Sequence, residues 1–172
     1  MDKNKKSRIY LLVLMITIFV VWKYRESQPK EVYITGTTMG TIRYNIKYLD
    51  AKNRSFKVEV DSLLKDFNQS LSTYIPDSEI SIFNQEGSVA FASSYFYQVL
   101  EASDKVYRDS NGAFDPTIGL LIDAWGFGDG QTLNLDSAQV DSLLNLVGFD
   151  KIKFDQSGAQ KLIPEVKLNF SA

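Results

Sequence analysis

Apolar and polar positions change pattern along the chain. From Ile9 to Trp22 the residues are apolar except for Thr17, a run of 14. After residue 30 the pattern becomes amphipathic. Ile42, Tyr44, Ile46 and Tyr48 alternate with polar neighbours, which predicts a strand over Thr41–Tyr48 with those four on one face. Glu31–Thr35 predicts its partner, and Gly36 to Gly40 a hairpin-like connection. Val60, Leu63, Leu64, Phe67 and Leu71 recur at helical spacing, so Phe56–Leu71 reads as a helix with these residues inward. A second helix is predicted over Ser94–Asp109, with Val99, Leu100, Ser103, Val106 and Tyr107 inward and Asn111-Gly112 as its stop. Asp136-Ser137-Ala138-Gln139 is a near relative of the capping box. The helix it opens should bury Val140, Leu143, Leu144 and Val147 and end at Gly148. Short strands are expected at Lys151–Phe154 and Val166–Phe170, around the turn from Asp155 to Gly158. The resulting fold class is α+β, a mixed or antiparallel sheet packed with helices and preceded by an N-terminal membrane-anchor helix.

The apolar run has the marks of a targeting segment. Lys3, Lys5, Lys6 and Arg8 precede it, and Trp22, Lys23, Tyr24 and Arg25 close it. A bilayer span takes roughly 17–25 residues, so the run suits a signal-peptide core or a short signal anchor. No small-residue cleavage site follows, Trp and Tyr suit the membrane interface, and the basic flank places the N-terminus in the cytoplasm. Residues 1–30 are therefore read as a signal peptide or anchor in the cell inner membrane. Residues 31–172 are read as a body on the periplasmic, extracytoplasmic side. The chain stops two residues after the predicted strand Val166–Phe170, from which a piece of a longer protein is expected.

Composition narrows the chemistry. With 172 residues, 44% hydrophobic and 23% charged, the chain is ordinary globular material. It contains no Cys and no His, which excludes disulfides, thiol nucleophiles, imidazole bases and Cys/His zinc sites within it. Residues 1–30 carry seven Lys/Arg against two Asp/Glu, leaving twelve against nineteen for the rest. The body is acidic and has no basic stripe, so no nucleic acid is expected as a partner. An anionic ligand would need local backbone donors or a metal ion to offset that field.

Three loops stand apart from ordinary connectors. Thr37-Thr38-Met39-Gly40-Thr41 places hydroxyls and a Gly beside a strand, where backbone N–H groups can face an anion, although for this loop alone a plain hairpin turn is the better explanation. Leu71-Ser72-Thr73-Tyr74, followed by Pro76 and a short helix capped by Asp77 or Ser78, holds a Tyr between two helix ends. Such a ring can stack on a flat ligand or simply pack in a turn. In Gly112-Ala113-Phe114-Asp115-Pro116-Thr117-Ile118-Gly119, the Asp before Pro is expected to be extended, with its carboxylate directed away from the segment after it. Asp123 and Asp129 lack the spacing of a calcium loop.

Taken together, Thr38-Met39-Gly40-Thr41, Leu71-Ser72-Thr73-Tyr74 with Ser78-Glu79-Ile80, and Gly112-Ala113-Phe114-Asp115-Pro116-Thr117-Ile118-Gly119 with Trp125-Gly126-Phe127-Gly128 resemble the ApbE family of FAD:protein FMN transferases. The likeness covers about residues 32–172 and corresponds to the N-terminal half of a family member. Leu168-Asn169-Phe170-Ser171-Ala172 resembles the start of a further family segment, with Asn169 where many members have Asp. The resemblance implies FAD as substrate and Mg²⁺ as cofactor. It also implies a client protein, a flavinylated electron-transfer subunit, whose Thr or Ser hydroxyl receives FMN as AMP leaves. Met39 would touch the flavin nucleotide, Tyr74 would stack on the flavin, and Ala113, Phe114 and Asp115 would grip the nucleotide. Asn169 would contact FAD, and the backbone oxygen of Ala172 would bind magnesium. No catalytic side chain is assigned. Two alternatives stay open: an FAD-binding protein or pyrophosphatase yielding FMN and AMP, and a membrane-anchored binding domain without catalysis.

Overall fold

The computed structural model describes residues 3–127 and 133–170. The chain divides into two compact units, Met1–Asp61 and Ser62–Ala172.

The first unit opens with helix α1 (Lys3–Ser27), of which the 22 residues Lys6–Ser27 are long and apolar enough to cross a membrane. Its side chains from Ile9 to Tyr24 are exposed, as a lipid-facing or targeting segment requires and a core helix does not. Strands β1 (Lys30–Thr38) and β2 (Ile42–Asp50) then pair antiparallel, from Lys30 opposite Asp50 to Thr38 opposite Ile42. Both strands outrun their predicted limits. Gly36 lies inside β1 opposite Tyr44, so the turn shrinks to residues 39–41. Met39 and Gly40 sit there at φ 48° and 79°. Gly accepts that left-handed backbone freely, whereas Met adopts it only where the tight turn demands it. The strand after the hairpin ends in a clamp. Arg54 donates from its backbone and guanidinium to the Asp50 carboxylate, and Lys52 N donates to it at 2.8 Å.

The second unit is built around one apolar cluster. Helix α2 (Lys57–Leu71) leads into it, followed by α3 (Glu79–Glu86), β3 (Ser88–Ala90), α4 (Ser94–Asp109), α5 (Gly119–Ala124) and α6 (Ser137–Leu144). A short 3₁₀ turn (Phe149–Lys151) precedes strands β4 (Ile152–Asp155) and β5 (Gly158–Lys161). The three strands form an antiparallel sheet in the order β3-β5-β4. Phe83 from α3 and Phe96 from α4 meet edge to face at 6.2 Å, and Phe96 meets Phe170 in the same way at 5.8 Å. Ile80, Leu100, Phe149, Ile152, Val166 and Leu168 complete the buried cluster. Such aromatic pairs add a modest geometric preference to the larger gain from removing apolar area from water. A buried carboxylate ties three elements together. Glu79 accepts hydrogen bonds from Ser70 Oγ and from the backbone N–H groups of Ala92 and Ser93, joining α2 and α3 to the start of α4.

Several expectations are corrected. Val166–Phe170 is not a sheet strand; it makes one isolated parallel bridge, Lys167 to Ile118, because its backbone partners are a loop and a side chain. Gly148 does not end α6, which stops at Leu144, but enters the 3₁₀ turn. The Asp136/Gln139 capping box forms in full, yet no residue of α6 is fully buried. Leu63 and Val106 are 54% and 47% exposed. The inward lines are Leu64–Phe67–Leu71 and Phe96–Leu100–Ser103–Tyr107, and both residues sit at the edge of these. Phe96, fully buried, was not among the expected core residues.

Candidate functional site

The site begins with the turn between α2 and α3. Ser72 closes α2, and its side-chain oxygen accepts from Tyr74 N at 3.3 Å. Ser78 caps α3 by accepting from Ser81 N, while its own hydroxyl donates to Ser72 O at 2.6 Å. Ser78 and not Asp77 is therefore the cap. These bonds brace the turn from both sides and leave the Tyr74 ring 65% exposed. An aromatic ring carried outward on a braced turn is available to a flat partner.

Beside it, residues 167–169 run against the loop that starts α5. Gly119 N donates to Lys167 O at 3.1 Å and Asn169 N donates to Pro116 O at 2.8 Å. A Cβ on Gly119 would lie 2.7 Å from Lys167 O, so the approach of these backbones requires glycine. Asn84 of α3 pairs with the Leu168 peptide from the other side: its Nδ2 donates to Leu168 O and its Oδ1 accepts from Leu168 N. Lys167 Nζ forms a half-exposed ion pair with Asp123 of α5 at 2.7 Å.

These segments enclose a cavity of about 330 Å³ with Tyr74, Asn84, Gly119, Asp123, Lys167 and Asn169 on its walls. That volume lies at the lower end of small-molecule sites and suits one ring system rather than a whole dinucleotide. Its polar groups are amides, hydroxyls and one ion pair, able to orient a polar heterocycle and to offer a cation to an anionic group. Nearby, Lys161 is buried, and desolvation, with the charge of Lys167 added to it, holds its ammonium below the ordinary Lys range.

The sequence-predicted residues fall in three places. Tyr74 and Asn169 line the same cavity. Asp115 is one residue from Pro116, whose carbonyl holds Asn169, but Asp115 is not on the cavity wall. Its carboxylate turns back instead of pointing away: Oδ1 accepts from Thr117 N at 2.8 Å and from Thr117 Oγ1 at 2.6 Å. Thr117 Oγ1 in turn accepts from Gly148 N at 2.7 Å. A two-residue reach to the N–H beyond a proline sets the direction of the carboxylate. Ala113 and Phe114 belong to the turn that ends α4, where Ser110 O accepts from Ala113 N and Ser110 Oγ from Phe114 N. Met39 is exposed at the tip of the hairpin in the first unit. Ala172, with Ser171 and Gly128 of the family-like motifs, lies outside the described residues. Reading the sequence missed Asn84, Asp123 and Lys167 as parts of one site. Asn84 closes the segment that begins at Tyr74, but a lone Asn near a helix end carries no signal of a partner 84 residues away.

Comparison with known proteins decides the family. Residues 39–172 match the model of the ApbE family.

The chain belongs to the ApbE family.

The FAD:protein FMN transferase of Vibrio cholerae serotype O1 is 34% identical over 156 residues, covering 85% of this chain and 46% of that protein. The Haemophilus influenzae FAD:protein FMN transferase is 32% identical over 161 residues, covering 86% and 46%. The solved structure of the flavin transferase ApbE from Vibrio cholerae superposes with a TM-score of 0.73 at 28% identity, over 83% of this chain and 48% of that one. The apo Pseudomonas stutzeri flavinyl transferase ApbE gives 0.73 at 27%, over 84% and 50%. The chain thus spans about half the length of the curated relatives it matches. Its α+β fold, with helices against antiparallel strands, is the ApbE fold.

Proposed function

We propose that the protein serves FAD-dependent protein flavinylation, moving FMN from FAD onto a Thr or Ser hydroxyl of a client protein. The observation that carries this reading is an exposed Tyr74 ring sharing a cavity wall with Asn169 in a chain of the ApbE family. Tyr74 stacks on the flavin, Asn169 contacts the dinucleotide, and Ala113 to Asp115 lie along the nucleotide portion. For Met39 a role toward FAD rests on the family resemblance alone. In the reaction the client oxygen bonds to the phosphorus of the FMN half and loses its proton. The bond from that phosphorus to the bridging oxygen breaks, and AMP leaves with that oxygen. Transfer of this kind depends mostly on positioning and charge stabilisation, so a chain without His or Cys can take part.

Magnesium is expected from the family resemblance. Among the described residues no three Asp or Glu side chains come together to hold a metal ion. The carboxylate on the cavity wall, Asp123, is paired with Lys167. A magnesium site needs one or two carboxylates beside phosphate and water oxygens, and the Ala172 carbonyl expected among its ligands lies outside the described residues. The apolar α1 anchors the body at the inner membrane, with the client on the extracytoplasmic side.

The test is incubation of the protein with FAD, Mg²⁺ and a client domain bearing the acceptor Thr. Flavin fluorescence that stays on the client in a denaturing gel is the expected result. Release of free FMN and AMP without labelling would make the protein a pyrophosphatase, and neither product would reject both activities.

A further inference from the structure

Asn84 does for the chain at residue 168 what a neighbouring strand does in a sheet. Its amide makes both bonds a peptide can offer, Nδ2 to Leu168 O at 2.9 Å and Leu168 N to Oδ1 at 2.8 Å. A two-point pairing fixes rotation as well as distance, which a single hydrogen bond does not. The side-chain type is dictated by this geometry. Asp has no donor and would set an oxygen against the Leu168 carbonyl; Gln is one methylene too long; Ser can make one bond. Asn84 is itself held, since its backbone carbonyl accepts from Lys161 Nζ at 2.7 Å.

The pairing is placed where it matters for a ligand. Asn84, Leu168 and Asn169 all border the 330 Å³ cavity that Tyr74 overlooks. On the far side of the same segment Asn169 N is tied to Pro116 O. Asn84 and Pro116 therefore grip residues 168–169 from two sides and set the position of Asn169. A buried stitch serving stability alone has no reason to sit on the cavity wall.

We propose that Asn84 is a positioning residue of the flavin site, acting through the Leu168 peptide to hold Asn169 against the bound FAD. This role rests on the proposed flavin chemistry. Neither the sequence motifs nor the family resemblance assigns Asn84 a role.

The test uses the full 172-residue chain in detergent, titrated with FAD and followed by flavin fluorescence and the shape of the visible flavin band. Asn84→Asp should weaken FAD binding by about tenfold or more, the scale of one buried group left unpaired, and alter the flavin band. Phe154→Leu is the stability control: it trims a ring of β4 that meets Tyr97 and Phe149 and leaves Asn84, the Lys161 bond that holds it and the cavity wall in place. It should lower the melting temperature and leave FAD affinity within about twofold of wild type, since its ring partners are not shared with Asn84 and effects at separate sites add. If Asn84→Asp does not fold, Asn84→Ser carries the same expectation, because a water can fill the vacated volume. Unchanged FAD affinity in the Asn84 variant overturns the proposal. So does an equal loss of affinity in Phe154→Leu at equal loss of stability, which would make Asn84 a stitch for the fold. Wild-type protein that fails to take up FAD overturns this role together with the proposed function, whereas wild-type binding with an indifferent Asn84 variant overturns this role alone.

Discussion

Among the described residues, the first unit fully buries two apolar side chains, Val32 and Ile34, while the second buries ten in one cluster. The first is ordered instead by neighbours in sequence. The nine strand pairs of β1 and β2 meet across a three-residue turn, and Asp50 is clamped by Arg54 only four residues on. In the second unit the decisive contacts are distant: Phe96 against Phe170, Asn84 against Leu168, Gly148 against Thr117. Local pairing can form early and at low entropic cost, whereas distant pairing waits for the whole chain to close. The cavity belongs entirely to the second kind, since its walls come from residues 73–85, 119–123 and 167–169. A site made this way inherits its geometry from the core beneath it.

The largest expected perturbation separates the two units. Phe96→Ala removes a fully buried ring that touches Phe83, Phe91 and Phe170. It should destabilise the second unit by about 3–5 kcal/mol, the usual range for deleting a core aromatic. Hydrogen exchange should show protection lost across α3, α4 and β5 while β1 and β2 keep theirs; equal loss in both would mean that they fold as one. A middle-sized effect separates the site from its scaffold. Tyr74→Ala removes an exposed ring, so thermal stability should hardly change, while FAD binding should weaken by roughly 1–3 kcal/mol, the scale of one stacking contact. Titration calorimetry with FAD checks this, and unchanged affinity would remove Tyr74 from the site. The smallest effect acts on the hairpin unit alone. Hydrogen bonds from the Arg54 side chain and backbone hold the Asp50 carboxyl well below the usual carboxylate range. Its folded-state pKa is depressed, so its stabilisation is present above the unfolded value near 4 and is lost as pH falls toward the folded value. Acid titration by NMR should therefore loosen the Asp50–Arg54 turn at low pH, and Asp50→Asn should abolish that dependence.

The legibility of the chain follows the same division. The alternation Tyr44, Ile46, Tyr48 is a local signal, and the strand it predicts is there, as is the Asp136/Gln139 cap. Helix α4 keeps the predicted limits Ser94–Asp109 because its stripe and its Asn111-Gly112 stop are both local. Val166–Phe170 misled for the opposite reason. Its apolar alternation suits a strand, but alternation says nothing about which groups take up the backbone hydrogen bonds, and here they are Asn84, Pro116 and Gly119. Strand β5, Gly-Ala-Gln-Lys, has no β-forming residue and exists because β3 and β4 both pair with it. In the site, Tyr74 and Asn169 came into view through motif resemblance, since motifs are short. Asp115 was visible, but the turn of its carboxylate to Thr117 was not, although that reach is local; the distant part is the bond from Gly148 N to Thr117 Oγ1.

By itself the sequence determined the apolar N-terminal helix, the hairpin, the limits of α4 and the family, because each is written in contiguous residues or in motifs that keep their order. The tertiary structure alone decided which side chains share the cavity, which carbonyls Lys161 reaches and why Asn84 faces Leu168. Those depend on where segments distant in sequence come to rest, 84 residues apart for Asn84 and Leu168, and close packing, not local pattern, sets that position.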